Sequence, residues 1–299
     1  MFWPQPVREI MTSDQPGPRI SPFSYPKEYV LPGRPSTASQ AVADAYRQTS
    51  FLLAEDLALF ERGMNLELRV VGDSRAAHYR TPALAALLSL WSRSFACRAD
   101  VCLVAARGSY VSCLPLLRAA ADCVGAQRAL AGDDRQEFID WLATAFGQDR
   151  EHAALKIELG RYRSGATLAT DERLGKVYRA VTELTMTHFG ATLLQAAPEA
   201  GQEKVSIAFG EGGFHLGWAQ LTFGWLLTLT EAQIEASVSA RDVFAVSADV
   251  EAEVRRFSEA ARGALAREDR CRLEEVDNCR FLLRNFRRLA GDAARRILL

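Results

Sequence analysis

The chain has 299 residues, of which 48% are hydrophobic and 24% are charged, and its formal net charge at pH 7 is −1. This length and apolar content suffice for a large buried core and indicate an ordinary globular protein. The near-zero net charge excludes a general attraction to nucleic acid or to an anionic membrane, so any such partner would need a local charged patch.

The first 35 residues differ in composition from the rest of the chain. Eight of the eleven prolines fall there, which breaks every helix in this stretch and favours extended geometry. We therefore predict an extended, proline-rich N-terminal arm over residues 1–35. Its aromatic content favours docking against the body or a partner subunit over a solvated tail. These aromatic residues are Phe2, Trp3, Phe23, Tyr25 and Tyr29.

From residue 36 onward the apolar residues recur at helical spacing, which predicts one all-α, multi-helix bundle domain over residues 36–299. Ser36 or Thr37 is a candidate cap for the first helix, and Thr81 with Pro82 starts another. The alternating residues 205–209 allow one short strand or hairpin, closed by the glycine-rich residues 210–213. The predicted helices cover residues 36–69, 81–107, 110–130, 135–146, 149–159, 171–196, 214–239, 248–266 and 273–298.

The most apolar charge-free stretch, residues 212–230, contains several glycines and threonines and His215, which indicates a buried helix and no membrane span. The first residues lack the pattern of a signal peptide, and none of the six cysteines forms a CxxC pair. We therefore expect a cytoplasmic protein whose cysteines are small core residues. No metal-ligand spacing or phosphate loop occurs in the sequence, so we predict no metal and no cofactor.

Charged residues interrupt two of the most apolar predicted helices. Arg93, Asp100 and Arg107 are seven residues apart and share one side of the first. Arg118 and Asp122 are four residues apart in the second and can pair along it. Charges in such surroundings need compensation, because desolvation costs several kcal/mol per ion.

A third helix could supply that compensation through Thr185 and His188, which are three residues apart and face the same way. If this face meets Arg118 and Asp122, the result is an internal polar network, a ligand site or a catalytic site. The candidate catalytic residues are His188 as acid or base, Arg118 as anion stabiliser, and Asp122. The candidate ligand-binding residues are Arg93, Tyr178 and Thr185.

Several of these residues resemble a known pattern. The first set is the Gly108-Ser109-Tyr110 turn, followed by Leu-Leu-Arg118 with Asp122. The second set lies farther along the chain and consists of Tyr178, Leu184-Thr185 and His188-Phe189-Gly190. Together they are similar to a bacterial all-helical family that shares features with the HEPN-like bundles of toxin and defence systems. The resemblance covers roughly residues 81–196 and implies a metal-independent ribonuclease or a nucleotide-binding protein. HEPN ribonucleases space their Arg and His more closely on one helix than Arg179 and His188 are spaced here.

The arginine-rich C-terminal segment is the one cationic surface that the sequence suggests. On a helix over residues 273–298, Arg280, Arg284, Arg287 and Arg288 would lie off the apolar stripe, as a solvated face or as a site for RNA or an acidic partner. The leading hypothesis is a non-catalytic module that binds a protein partner or self-associates through the arm or this helix. The alternative is the HEPN-like ribonuclease or nucleotide-binding protein.

Overall fold

A computed structural model describes residues 20, 23–77, 82–132, 135–162, 164–210, 212–277 and 280–299, so Phe2 and Trp3 of the predicted arm lie outside the described residues. Across these ranges the chain forms ten helices and five strands, which confirms a mostly helical fold but corrects the all-α class. The helices are α1 (Gln40–Leu52), α2 (Ala54–Ala77), α3 (Pro82–Ala106), α4 (Tyr110–Ala131), α5 (Arg135–Thr144), α6 (Gly165–Thr170), α7 (Glu172–Thr185), α8 (Phe189–Ala196), α9 (Leu216–Ser239) and α10 (Ala248–Leu265). The strands are β1 (Phe146–Asp149), β2 (Ala154–Ile157), β3 (Arg272–Asp277), β4 (Arg280–Phe286) and β5 (Arg295–Leu298).

The predicted helix over residues 36–69 is two helices, separated at Leu53. Ser39, and neither Ser36 nor Thr37, caps α1: its hydroxyl accepts a hydrogen bond from the Val42 amide. Helix α2 continues to residue 77, so the end predicted at residue 69 is wrong. A helix can pass through Gly72 here because the buried apolar face of α2 outweighs the low helix propensity of one glycine.

Helices α3 and α4 correspond to the apolar helices that the sequence predicts over residues 81–107 and 110–130, and they pack against each other, with Pro82 as the first residue of α3. The turn between them depends on Gly108, whose φ is +77°. Its Cα lies close to the backbone of Gly213, and a Cβ added to Gly108 would lie 2.6 Å from the Gly213 carbonyl oxygen. A residue with a side chain would therefore be strained there and would collide with the segment that leads into α9.

Helix α9 is the centre of the bundle, which confirms a buried helix in the region of residues 212–230. It packs against α2, α3, α4, α7 and α10 and has buried residues on every side. Among the helices of the described ranges, none combines the length and the apolar character that crossing a bilayer requires.

The helix predicted over residues 149–159 is wrong, because this segment is the hairpin of β1 and β2, with Phe146 opposite Ile157. The Asp149 side chain accepts the Glu151 amide and contacts the His152 ring, and Ala153 has a left-handed φ of 49°. These local contacts close a turn at the point where a helix would have to begin.

The helix predicted over residues 171–196 is interrupted and forms α7 and α8. Asp171 caps α7 at its start, and the backbone at Met186 and His188 is extended. A further short helix, α6, lies in the predicted polar loop of residues 160–170. The interruption turns His188 away from the face that carries Tyr178, because the two residues no longer share one helix axis.

The helix predicted over residues 273–298 is also wrong. Strands β3, β4 and β5 form an antiparallel meander with β4 in the middle. Phe281 and Leu283 alternate onto the buried face of β4, next to α9, and Phe286 is buried as well after an irregularity in the strand between residues 283 and 286. The strand or hairpin proposed at residues 205–213 is wrong as well, since residues 204–208 have neither helix nor strand structure.

A buried ion pair fixes this C-terminal sheet to the bundle. Arg270, which directly precedes Cys271 and β3, donates to both carboxylate oxygens of Asp56 on α2, at 2.8 and 2.9 Å, and to the Gln220 carbonyl on α9. Arg270 and Asp56 are both buried, so each compensates the desolvation of the other. The sheet is therefore held by charge as well as by apolar contact.

Candidate functional site

The described part of the arm, residues 23–35, docks along α2. Asn65 on α2 accepts a hydrogen bond from the Tyr29 amide (2.8 Å) and donates one to the Tyr29 carbonyl (2.9 Å), as a neighbouring strand would. Two residues later, the Leu31 amide donates to the Glu61 carboxylate at 3.1 Å. Extended backbone leaves its amide and carbonyl groups available, and α2 supplies their partners.

The Tyr29 ring completes this docking. It lies edge-on to Phe60 of α2 (ring centroids 5.7 Å apart) and to Phe95 of α3 (6.0 Å). Burial, the main cause, raises the pKa of Tyr29 well above its usual range, so the phenol stays neutral. The arm is thus held at Tyr29, and residues 23–26 continue from this point over the gap between α2 and α3.

A cavity of about 350 Å³ lies between this stretch of the arm and helices α2 and α3. Its walls are mostly apolar, and four of its lining residues are aromatic. The arm provides Phe23 and Tyr25, whose rings pack 5.8 Å apart. The lining residues are Ile20, Phe23, Ser24, Tyr25 and Pro26 of the arm, Glu67, Leu68 and Val71 of α2, and Leu84, Ala85, Leu88, Ser89, Trp91, Ser92 and Phe95 of α3.

Glu67 is the buried charged group among these lining residues, and Arg98 of α3 compensates it. Both side chains are fully buried. Arg98 donates to each carboxylate oxygen, with Nη2 to Oε2 at 2.8 Å, and its Nη1 also donates to the Thr230 hydroxyl at 3.0 Å. The Trp91 indole N–H donates to Oε2 at 2.5 Å. The pair therefore links α2, α3 and α9 beside the cavity.

The hydrogen-bond count leaves the Glu67 carboxylate one acceptor position. A carboxylate offers about four lone-pair sites. Oε2 accepts from Trp91 and from Arg98, whereas Oε1 accepts only from Arg98. The Glu67 side chain is 0% exposed, and the Arg98 nitrogen that donates to Oε1 also donates to Thr230 of α9, so Oε1 lies behind the cavity wall. The site can thus bind an apolar molecule against its apolar and aromatic walls.

A second depression, of about 500 Å³, lies between α2 and α10 and is largely open to solvent. Its lining includes Leu59, Arg62 and Arg267, and it lacks aromatic residues. An open groove of this kind shields little of a small molecule from water, so the cavity under the arm is the better candidate site.

Sequence analysis grouped Arg118 and Asp122 with His188, and the structure places them apart. The Arg118 guanidinium lies 5.7 Å from the centroid of the Tyr178 ring, and Asp122 accepts a hydrogen bond from the Ser164 hydroxyl at 3.0 Å. Among the contacts of the described residues, no hydrogen bond or ion pair joins Arg118 to Asp122. Arg118 thus contacts Tyr178 of α7.

His188 lies on the surface at the junction of α7 and α8. Its side chain is 58% exposed, and its Nε2 is 3.0 Å from the Glu183 carboxylate. Thr185 donates its hydroxyl to the Val181 carbonyl of its own helix, and Arg93 is exposed on α3. The structure therefore does not bring the predicted catalytic and ligand-binding residues together into one cluster.

The predicted cationic helix face is replaced by sheet and turn. Arg280 and Arg284 lie on the outer face of β4, and Arg284 donates to Glu274 of β3 at 2.5 Å. Arg287 and Arg288 follow in the turn, where their carbonyls accept the Gly217 and Leu216 amides at the start of α9. The four arginines thus do not form the single helical stripe that the sequence suggested.

Among the described histidines, His152, His188 and His215, one is buried. The His215 side chain caps α9, where Nδ1 accepts the Trp218 amide and Nε2 is 3.1 Å from Glu199. Burial is the largest effect and lowers the pKa of His215 to about 4. The positive charges of Arg288 and Arg295 lower the pKa further, whereas the neighbouring Glu199 raises it. His215 is therefore neutral at pH 7 and acts as a structural cap.

The described cysteines, Cys97, Cys102, Cys113, Cys123 and Cys271, are free thiols, and Cys279 lies outside the described residues. Burial raises the pKa of Cys102, Cys113 and Cys271 to about 12, so these thiols remain protonated. In the described part of the chain, no group of three or more His, Cys, Asp or Glu residues is placed to hold a metal ion.

Sequence reasoning missed Glu67 and Arg98, although a signal for Arg98 was present. Arg98 is seven residues after Trp91 and four before Cys102, on the side of α3 whose neighbours are buried. An arginine on a buried face must have an acidic partner on another helix. No protein-family model, curated protein or solved structure matches this chain.

Proposed function

We propose that this protein is a binding protein that holds a small, mostly apolar molecule in the cavity between the arm, α2 and α3. The observation that carries the proposal is the mostly apolar cavity of about 350 Å³, four of whose lining residues are aromatic. Apolar walls supply affinity, and the aromatic rings favour flat molecules that can stack on them.

The size and charge of the cavity narrow the class of ligand. A volume of about 350 Å³ is near the lower end of small-molecule sites, and it suits a molecule of two or three rings. A charged ligand is disfavoured, because Arg98 already neutralises Glu67 and the apolar walls would not repay the loss of hydration. A neutral aromatic molecule is therefore the expected ligand.

The ribonuclease alternative has less support. His188 is paired with Glu183 on the surface, and its contacts do not include Arg118 or Asp122. Acid–base catalysis requires such groups to converge on one substrate atom. The binding proposal needs no such convergence, because its residues already surround one cavity.

Fluorescence titration with N-phenyl-1-naphthylamine tests the proposal. This neutral probe has three rings and one N–H group, and its fluorescence rises in apolar surroundings. We expect saturable binding of one probe per chain with a Kd on the order of 10–100 µM, typical of a small ligand in an apolar pocket. Absence of saturable binding would overturn the proposal.

Two variants and one matched compound locate the binding. Ala85→Phe fills the cavity from α3 and should weaken binding at least about tenfold, whereas Ala41→Phe, on the exposed side of α1, should leave it unchanged. In competition, 1-phenoxynaphthalene, which replaces the N–H by an ether oxygen, should bind about as well as the probe, because the apolar walls supply the affinity. Equal binding by Ala85→Phe and wild type would place the probe elsewhere. Binding of the ether more than about tenfold weaker than that of the probe would contradict an affinity that comes from apolar contact.

A further inference from the structure

The hairpin of β1 and β2 projects from the bundle with unusually exposed apolar side chains. Leu155 is 67% exposed and Ile157 48%, and both lie on the same face as Phe146, which is 44% exposed. Leu159, at the centre of the turn that the Gly160 amide closes on the Glu158 carbonyl just after β2, is 97% exposed. A two-stranded hairpin with this much exposed apolar surface is marginal in water unless something else packs on it.

The base of the hairpin is fixed to α5. The Trp141 indole donates to the Glu158 carbonyl at 3.2 Å, and its ring lies 6.2 Å from that of Phe146. Phe138 stacks on Tyr162 at 5.9 Å. The two strands are therefore presented in a set orientation, which lowers the entropic cost of pairing with another strand.

The outer edge of β2 has free backbone groups. The Glu158 amide bonds to the Ala145 carbonyl, which makes residues 145 and 158 a hydrogen-bonded pair. Because such pairs alternate along an antiparallel ladder, the amide and carbonyl of Leu155 and Ile157 point away from β1. Within the described residues this sheet has only two strands, so no third strand covers that edge.

This edge is complementary to a second copy of itself in one register. Outward-pointing residues must pair with outward-pointing residues, which allows antiparallel pairing centred on Leu155, on Lys156, on Ile157 or on Glu158. Centring on Lys156 places lysine opposite lysine, and centring on Glu158 places glutamate opposite glutamate, which is unfavourable. Centring on Leu155 places Lys156 opposite Ala154 and forms no ion pair. Centring on Ile157 places Lys156 of each copy opposite Glu158 of the other.

We propose that two copies of this chain associate through the outer edges of their β2 strands, antiparallel and centred on Ile157, to form a continuous four-stranded sheet. The two-fold axis then repeats the Lys156 to Glu158 pair, and Ile157 lies beside its own counterpart. Leu155 of one copy lies diagonally beside Ile157 of the other, so apolar side chains that are exposed in one chain cover each other. This association is independent of the cavity under the arm.

Charge exchange at the two positions tests the register. Sedimentation equilibrium of the full chain at up to about 100 µM should give twice the 33.0 kDa mass for wild type. Lys156→Glu and Glu158→Lys should each weaken association at least about tenfold, because each places like charges opposite one another twice. The doubly exchanged variant should associate like wild type, as should an equimolar mixture of the two single variants.

The mass of the wild-type chain tests the association, and the masses of the variants test its register. A wild-type chain that stays at 33.0 kDa over this range overturns the proposal, and so do single variants that associate like wild type. Failure of both the exchanged variant and the mixture to recover association overturns the register. The substituted side chains are on the solvent-exposed hairpin, so unchanged thermal unfolding of all variants should verify that the bundle itself is intact.

Discussion

Replacing Arg98 with methionine tests the buried ion pair beside the cavity. The substitution keeps much of the side-chain volume but leaves the Glu67 carboxylate buried with the Trp91 indole as its remaining donor. Removing one partner of a buried pair costs about 3–5 kcal/mol, because the other charge stays desolvated. We expect the free energy of unfolding of Arg98→Met to fall by that amount.

Calorimetry and urea unfolding at pH 7 measure this change. At about 2.1 cal/mol/K per residue, unfolding of 299 residues has an entropy of roughly 0.63 kcal/mol/K, so a loss of about 3–5 kcal/mol lowers Tm by roughly 5–8 °C. Arg47→Met is the matched control, since Arg47 is 75% exposed and pairs only with Asp44 on its own helix. Its effect should stay within about 0.5 kcal/mol.

The double variant Glu67→Leu with Arg98→Met distinguishes a charge effect from a packing effect. With both charges removed, the desolvation penalty disappears, and the main loss is the acceptor of the Trp91 indole, which costs about 1–3 kcal/mol. The double variant should therefore be more stable than Arg98→Met. A double variant as unstable as the sum of its single changes would refute this reasoning, as would a cost below about 1 kcal/mol for Arg98→Met.

Three further predictions concern other parts of the chain. Asn65→Ala removes both hydrogen bonds to the Tyr29 backbone. Hydrogen exchange of the Tyr29 amide should therefore accelerate at least tenfold, which corresponds to a loss of roughly 1.4 kcal/mol of local stability. The exchange rates of the α9 amides should not change and serve as the reference. The folded-state pKa of His215 is about 4, below the usual 6.5, so as the pH falls the unfolded chain takes up the proton first. The free energy of unfolding should therefore fall by about 2 kcal/mol between pH 7 and pH 5. His215→Asn should largely abolish this part of the pH dependence, measured by urea unfolding. Gly63→Ala would place a Cβ 2.6 Å from a side chain of α9 and should lower the free energy of unfolding by about 1–3 kcal/mol. Gly263→Ala, which has open space around it, should raise the free energy of unfolding by about 0.5–1 kcal/mol. Urea unfolding of the two variants should therefore give changes of opposite sign.

The helices with strong local signals could be predicted from the sequence. Pro82 and the turn at Gly108 define α3 and α4, and the continuous apolar character of residues 216–239 predicts a buried helix, as found. In these segments local propensity, apolar spacing and tertiary packing favour the same structure, so each element can be assigned without knowledge of its neighbours.

The C-terminal sheet and the hairpin could not be predicted in this way. Leu282, Phe286 and Leu289 have helical spacing, but Phe281 and Leu283 alternate as well, and pairing with residues 272–277 decides between the two periods. Likewise, Leu155 and Ile157 fit a strand, yet a strand forms only because residues 146–149 pair with it. Pairing between distant residues leaves no signal in either segment alone.

The candidate site depended on the same kind of information. The side on which a charged residue lies within an apolar helix can be computed, but its partner on another helix cannot. Sequence analysis paired Arg118 with Asp122 because they are four residues apart, whereas the structure places Arg118 against Tyr178. It overlooked Arg98, whose partner Glu67 is 31 residues earlier in the chain.

The central position of α9 has a consequence for synthesis of the chain. Of its 24 residues, 20 are buried, and its contacts with α2, α3 and α4 join segments that are made at very different times. At about 5–20 residues per second, a ribosome needs roughly 5–20 s to pass from the end of α4 at residue 131 to the end of α9 at residue 239. During that interval the apolar faces of α2, α3 and α4 lack the helix that covers them. The nascent chain is thus most exposed to aggregation before α9 emerges, and a chaperone that shields α2 to α4 would act in that interval.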